Sequence, residues 1–177
     1  MQKNFVLTVT GPDRIGIVER VTGLLFERGG NVELSRMARL GGEFAMLLLV
    51  AIPENHIPGL DGDLELLAAD GYKVTTTPTD RSDAGTRRNW LPYQIEVEGA
   101  DDEGIIHEVA RYLSGRGINI ESVESETTPA PVSGSPLFAM TAQVIAPPSL
   151  AGESWQAGVQ EIADRLNLEI RVSPLRD

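Results

Sequence analysis

A 23-residue segment that occurs twice constrains this chain more than any other feature. GPDRIGIVERVTGLLFERGGNVE (Gly11 to Glu33) lies over GADDEGIIHEVARYLSGRGINIE (Gly99 to Glu121) at a constant offset of 88. Ten of those positions are identical, among them Gly11, Asp13, Gly16, Ile17, Gly29 and Asn31. The register resumes at an offset of 94, where Phe44-Ala45-Met46 matches Phe138-Ala139-Met140. The second copy therefore carries a six-residue insertion, placed in the Pro/Ser-rich stretch from Thr127 to Pro136. A repeat of this period within 177 residues means one supersecondary unit built twice. Thr79 to Trp90 is polar and lacks apolar periodicity, which reads as a linker. The expected organisation is a domain at 1–80, a linker at 81–91 and a domain at 92–177.

Within the first copy the elements follow from the spacing of apolar residues. Phe5, Leu7 and Val9 alternate with polar or smaller neighbours as a strand requires. Ile17, Val21, Leu24 and Leu25 then recur at helical spacing until Gly29-Gly30 ends the run. Gly41-Gly42 between two extended stretches predicts a tight hairpin, because both turn positions need positive φ. Pro58 can open a helix carrying Leu60, Leu64 and Leu67, closed by Gly71, before a last strand with Tyr72, Val74 and Thr76. The second copy repeats the order, with Trp155, Val159, Ile162 and Leu166 at helical spacing. The sum is α+β: two ferredoxin-like βαββαβ domains, each a four-stranded antiparallel sheet with two helices on one face. Phe44 to Ile52 is apolar without alternation, which predicts a strand buried on both sides. The partner repeat or a second chain, as in a homodimer, would then cover the open face.

Composition excludes much chemistry. Fifteen basic against 26 acidic residues leave a net charge of −11, which repels a phosphate backbone, so direct nucleic-acid binding is not expected. Without cysteine there is no disulfide, thiol nucleophile or zinc-thiolate centre. Of the only two histidines, His107 sits in a first helical turn without a second histidine or a carboxylate cluster around it and His56 lies in a loop, so no metal site is expected and both read as solvated. Ser35 and Ser125 have no base in view, so no catalytic residues, no cofactor and no enzymatic activity are expected. The N-terminus has no long apolar stretch and the longest nonpolar run is too short to span a bilayer. A cytoplasmic protein without membrane contact is the expectation.

Gly11-Pro12-Asp13-Arg14-Ile15-Gly16-Ile17, then Gly29-Gly30-Asn31 and Gly42-Glu43-Phe44-Ala45-Met46, resemble the ACT domain, an amino-acid-sensing regulatory module. Two such units filling a short chain are similar to the glycine cleavage system transcriptional repressor family. A single unit also resembles the N-terminal part of formyltetrahydrofolate deformylase, but no residues remain here for a catalytic domain. The resemblance implies an allosteric regulator that contacts a DNA-binding activator rather than DNA, with glycine as effector. A free-standing allosteric subunit of an amino-acid metabolic enzyme and a ligand-free interaction module are the alternatives.

The candidate ligand site follows from local chemistry. Asp13, Arg14, Ile15, Gly16 and Ile17 lead from a strand into a helix start, where unpaired N–H groups favour a carboxylate. Asn31 could bond both ends of a free amino acid through its amide. The counterparts are Asp101, Gly104, Ile105 and Asn119. Arg14 would attract a carboxylate, whereas Asp101-Asp102-Glu103 would repel it and suit an amine, which favours the first loop. The competing structural reading makes Asp13 the cap of the helix, Asn31 a left-handed turn residue and the acidic trio a good helix start. Trp155 reads as core, and Arg81, Arg87 and Arg88 as a solvated basic cluster in the linker.

Overall fold

In the computed structural model, which describes residues 1–79, 87–131, 134–151 and 154–175, every element of the first repeat recurs in the second. The elements are β1 (Gln2–Pro12), α1 (Ile17–Glu27), β2 (Asn31–Leu40), β3 (Glu43–Pro53), α2 (Ile57–Ala69) and β4 (Lys73–Pro78). The second set is β5 (Leu91–Ala100), α3 (Ile105–Gly115), β6 (Asn119–Pro129), β7 (Pro136–Ala146), α4 (Trp155–Leu166) and β8 (Leu168–Pro174). The chain divides into two units, Met1–Ala84 and Gly85–Asp177. Most of the expected linker, Arg81 included, lies outside the described residues. Arg87, by contrast, pairs with Glu121 at 3.7 Å and lies over the Trp90 ring, so it is engaged rather than merely solvated.

Each unit has one antiparallel sheet, ordered β2-β3-β1-β4 and β6-β7-β5-β8. The registers coincide: Thr10 faces Ala45 as Glu98 faces Ala139, which reproduces the offsets of 88 and 94. Gly41 and Gly42 take φ of 59° and 95°, the double positive pair that a two-residue hairpin turn needs. All four helices end through a left-handed residue, Gly29, Gly71, Gly117 or Asn167. After α1 and α3 the amides of Gly30 and Ile118 donate back to Leu25 and Leu113 at 2.8 and 3.0 Å, which satisfies carbonyls the helix ends leave open. The recurring Glu33 and Glu121 mark a register shift in β2 and β6, an irregularity shared by both units.

The first core joins Leu7, Val9, Val21, Leu25, Leu48 and Leu67, and the second joins Ile95, Val97, Val109, Leu113, Trp155 and Val159. Ion pairs tie the helices in each unit, and in the first Arg20 of α1 also pairs with Asp70 at the end of α2 at 2.6 Å. Arg28 bonds both carboxylate oxygens of Asp63, at 2.7 and 3.1 Å, linking α1 to α2. Arg165 of α4 donates to Glu108 of α3 at 2.7 Å, and Arg111 adds a second bond at 2.9 Å.

The faces away from the helices differ between the units. β3 alternates: Met46, Leu48, Val50 and Ile52 are buried, while Leu47 on the other side is 49% exposed. Burial on both sides, expected for the whole strand, is thus met at Ala51 and fails at Leu47. The apolar run that suggested it reflects an apolar open face, where Leu34 and Leu47 lie near Arg36, Thr8 and Thr75. In the second unit the matching rows read Ser122, Gln143, Gln94, Ser173 and Glu124, Thr141, Glu96, Arg171.

Candidate functional site

Strand β1 ends at Pro12 and the backbone turns into α1 through Asp13 to Gly16. The Asp13 N–H donates to the Gly42 carbonyl at 3.1 Å, which pins this loop to the tip of the β2-β3 hairpin. Its carboxylate lies 3.0 Å from Arg39 Nε on that hairpin. Asp13 therefore does not cap the helix. The cap position is Gly16, at φ 93°, and no side chain bonds the first-turn amides. Gly16 is exposed with nothing within 4 Å of where a Cβ would stand, so the helix start opens to solvent. Ile15 is fully exposed and Ile17 is buried in the core, so only the backbone of Ile17 belongs to the loop surface. That N–H already donates to Arg14 at 3.2 Å.

The Arg14 guanidinium lies 5.9 Å from the Tyr72 ring and 3.4 Å from the Asp70 carbonyl. Tyr72 donates its hydroxyl to Pro12 at 3.0 Å. Gly11 is required beneath it, since a Cβ there would meet the Tyr72 ring at 2.7 Å. A positive group thus stands next to an uncapped helix N-terminus, the combination that attracts a carboxylate.

The second loop has the same backbone and the opposite charge. Asp101 donates its N–H to Pro136 at 3.1 Å, and Gly104 caps α3 at φ 89° with no side-chain bond. Ile105 is buried like Ile17. Asp102 turns onto its own loop, accepting from the Glu103 amide at 2.8 Å. Thr127 stands where the first unit has Arg39, so Asp101 lacks the partner that holds Asp13. Leu168 replaces Tyr72, and a cleft of about 590 Å³ opens there between Gly99, Phe138, Leu168 and the acids Glu98 and Glu169. The sequence reading missed this cleft, whose signal was the missing ring at position 168.

Asn31 does not join its own loop. It pairs with Ala51 in the same row as Asn4, at the start of β1, whereas Gly11 lies seven residues further along that strand. At about 3.4 Å per residue the separation is roughly 24 Å. Asn119 likewise shares a row with Pro92, and its amide bonds Ile120 and Glu121. The cause is topological: α1 and α3 carry the chain back to the opposite end of the sheet before the next strand begins. Asn31 is also extended rather than left-handed, so the turn reading of that residue is corrected.

No group of three or more metal-ligating side chains occurs among the described residues. No helix among the described residues is long and apolar enough to cross a membrane. His107 is exposed, and His56 places Nδ1 2.7 Å from the Arg28 carbonyl, tied to the end of α1 rather than free in a loop.

Residues 3–72 match the ACT domain family. The glycine cleavage system transcriptional repressor of Escherichia coli (strain K12) is 30% identical over 135 residues, covering 73% of this chain and 67% of that one. The repressor of Shigella flexneri matches to the same extent. The crystal structure of an unknown protein from Galdieria sulphuraria is 32% identical, covers 99% of this chain and all of its own, and superposes with a TM-score of 0.83. A protein proposed to be a glycine cleavage system transcriptional repressor shares the fold over the whole chain and 99% of its own, with a TM-score of 0.73 at 21% identity.

Proposed function

The chain belongs to the glycine cleavage system transcriptional repressor family of tandem ACT proteins, and on that premise we propose that it is a non-enzymatic regulator sensing a small amino acid, glycine first. It passes the signal to a DNA-binding transcription factor by protein–protein contact. The observation that carries the ligand part is the uncapped start of α1 at Gly16, with Arg14 beside it and Asp13 held away by Arg39. The ligand carboxylate docks on those amides, and Gly16 keeps the approach open. Asn31, at the other end of the domain, then serves a ligand bound to another copy of the chain.

The net charge of −11 supports a protein partner over nucleic acid. Glycine acts on that partner only through different affinities for the free and the partnered regulator, and by linkage the partner changes glycine affinity by the same factor. A regulator of this kind works in the cytoplasm.

The test is a thermal-shift panel of the twenty amino acids, followed by capture of the partner with and without the responding one. A ligand at 100 times its dissociation constant adds about 2.7 kcal/mol to the folded state. Glycine should raise the melting temperature of the chain and leave Gly16→Ala unmoved. An equal rise in both would place the site elsewhere, and no rise with any amino acid would favour the ligand-free interaction module. Co-purification with a metabolic enzyme instead of a transcription factor would favour the allosteric subunit.

A further inference from the structure

At the end of the first unit remote from the loop, a cavity of about 270 Å³ opens beneath the start of α2, against β1 and β4. Its floor is Phe5 and Leu60, both buried, and its rim carries the exposed Lys3, Asp61 and Thr76 beside half-buried Ile57. The second repeat shows what fills this space. Tyr93 faces Val144 and Pro174 as Phe5 faces Val50 and Pro78. Trp155 is the first residue of α4 as Ile57 is of α2. Trp155 is only 1% exposed and stands edge-on to Tyr93, with ring centroids 5.2 Å apart and an interplanar angle of 86°. Val172 packs there in the row where the first unit has Thr76. One repeat thus plugs the pocket with its own indole, and the other leaves it open.

An apolar cavity of about 150 Å³ is enough to hold a benzene ring. The larger space here accepts one aromatic side chain, and its rim supplies opposite charges, Lys3 and Asp61, that complement the carboxylate and ammonium of an amino acid. Lys3 is 3.7 Å from Glu54 in a half-exposed pair, a contact weak enough to exchange for a ligand carboxylate. We propose that the first domain binds a free aromatic α-amino acid in this cavity, its ring on Phe5 and Leu60, its carboxylate toward Lys3 and its ammonium toward Asp61. The site is independent of the loop reading above. Phe5 lies six residues from Gly11 along β1, roughly 20 Å, and glycine has no side chain to fill the space.

The experiment is a calorimetric titration of the full chain with L-phenylalanine, phenethylamine and glycine. L-phenylalanine should bind at millimolar concentration or below. Ile57→Trp, which builds in the plug of the other repeat, should abolish that binding and leave the response to glycine as it was. Lys3→Glu, on an exposed side chain, should weaken L-phenylalanine at least tenfold and leave phenethylamine binding at least as strong. If Ile57→Trp melts early, Lys3→Glu decides alone. No binding of L-phenylalanine to the native chain, or undiminished binding to Lys3→Glu, would overturn the proposal. A glycine response that survives either result keeps the two sites distinct.

Discussion

The two domains share a backbone and differ in nearly everything a partner would touch. The first unit carries eight Lys/Arg and twelve Asp/Glu, the second seven and fourteen. Their open sheet faces sharpen the contrast. The row Ala38, Ala45, Thr10, Lys73 in the first becomes Glu126, Ala139, Glu98, Glu169 in the second. Phe26, 81% exposed on α1, stands at the position of Ser114 on α3. Backbone geometry in this pair is set by glycines, strand register and core periodicity, which both repeats retain. Surface chemistry is free to diverge, and here one face turned apolar and the other acidic. The same separation holds at the loops, where Gly16 and Gly104 match while Arg14 and Asp102 oppose.

The largest effect that would test this comparison is in the cores. Trp155→Ala should cost about 3–5 kcal/mol and open hydrogen exchange in the second domain first. Ile57→Ala, at a half-buried position beside an existing cavity, should cost less than the ~2–5 kcal/mol of a fully buried site. Equal losses would mean that the two helix starts are packed alike.

Next come the loop glycines. Gly16→Ala and Gly104→Ala place a Cβ in open space at left-handed φ, so each should lose about 1–2 kcal/mol from backbone strain alone. Denaturant melts of the two should coincide, while the glycine response vanishes only with the first. Arg39→Ala removes an exposed partner worth about 0–1 kcal/mol, yet frees Asp13 to compete for the α1 amides. Titration should show weaker glycine binding with a nearly unmoved melting temperature.

Acid provides a subtler contrast. Hydrogen bonds from Arg165 and Arg111 hold the Glu108 carboxyl down to about 2 from its ordinary 4.5. Its contribution is in place above pH 4.5 and fades as pH falls through 2. Hydrogen bonding to Arg28 lowers Asp63 in the same direction. Glu108→Gln should flatten the acid dependence of the second domain and leave that of the first. The smallest change is Glu169→Lys. It turns a like-charge pair directly opposite Glu98 into an attractive one, a gain of about 0.2–1 kcal/mol readable as a small rise in midpoint.

Much of the fold was legible because its determinants are local. Gly41-Gly42 specify the hairpin turn, and the offsets of 88 and 94 fix the strand register in both sheets. What escaped depends on partners distant along the chain. Nothing near Asp13 announces that Arg39, across the hairpin, will claim its carboxylate. The amide of Asn31 suggested a ligand contact beside the loop, but a helix of eleven residues spends that proximity by returning the chain to the far end. The open pocket under α2 was readable only by setting Ile57 against Trp155, a comparison that means little until both helices are known to start there.

The separation of Asn31 from its own loop bears on stoichiometry. A domain with its helix-start amides at one pole and its free-standing asparagine at the other is a polarised object. Two chains meeting along a two-fold axis with their sheets antiparallel bring unlike poles together twice, so composite sites come in equal pairs and an odd count signals a different assembly. Two chains meeting in parallel complete no such site at all. Under the proposed reading, in which the loop of one chain and Asn31 of another share a ligand, the number of ligands bound per chain reports the direction in which chains associate.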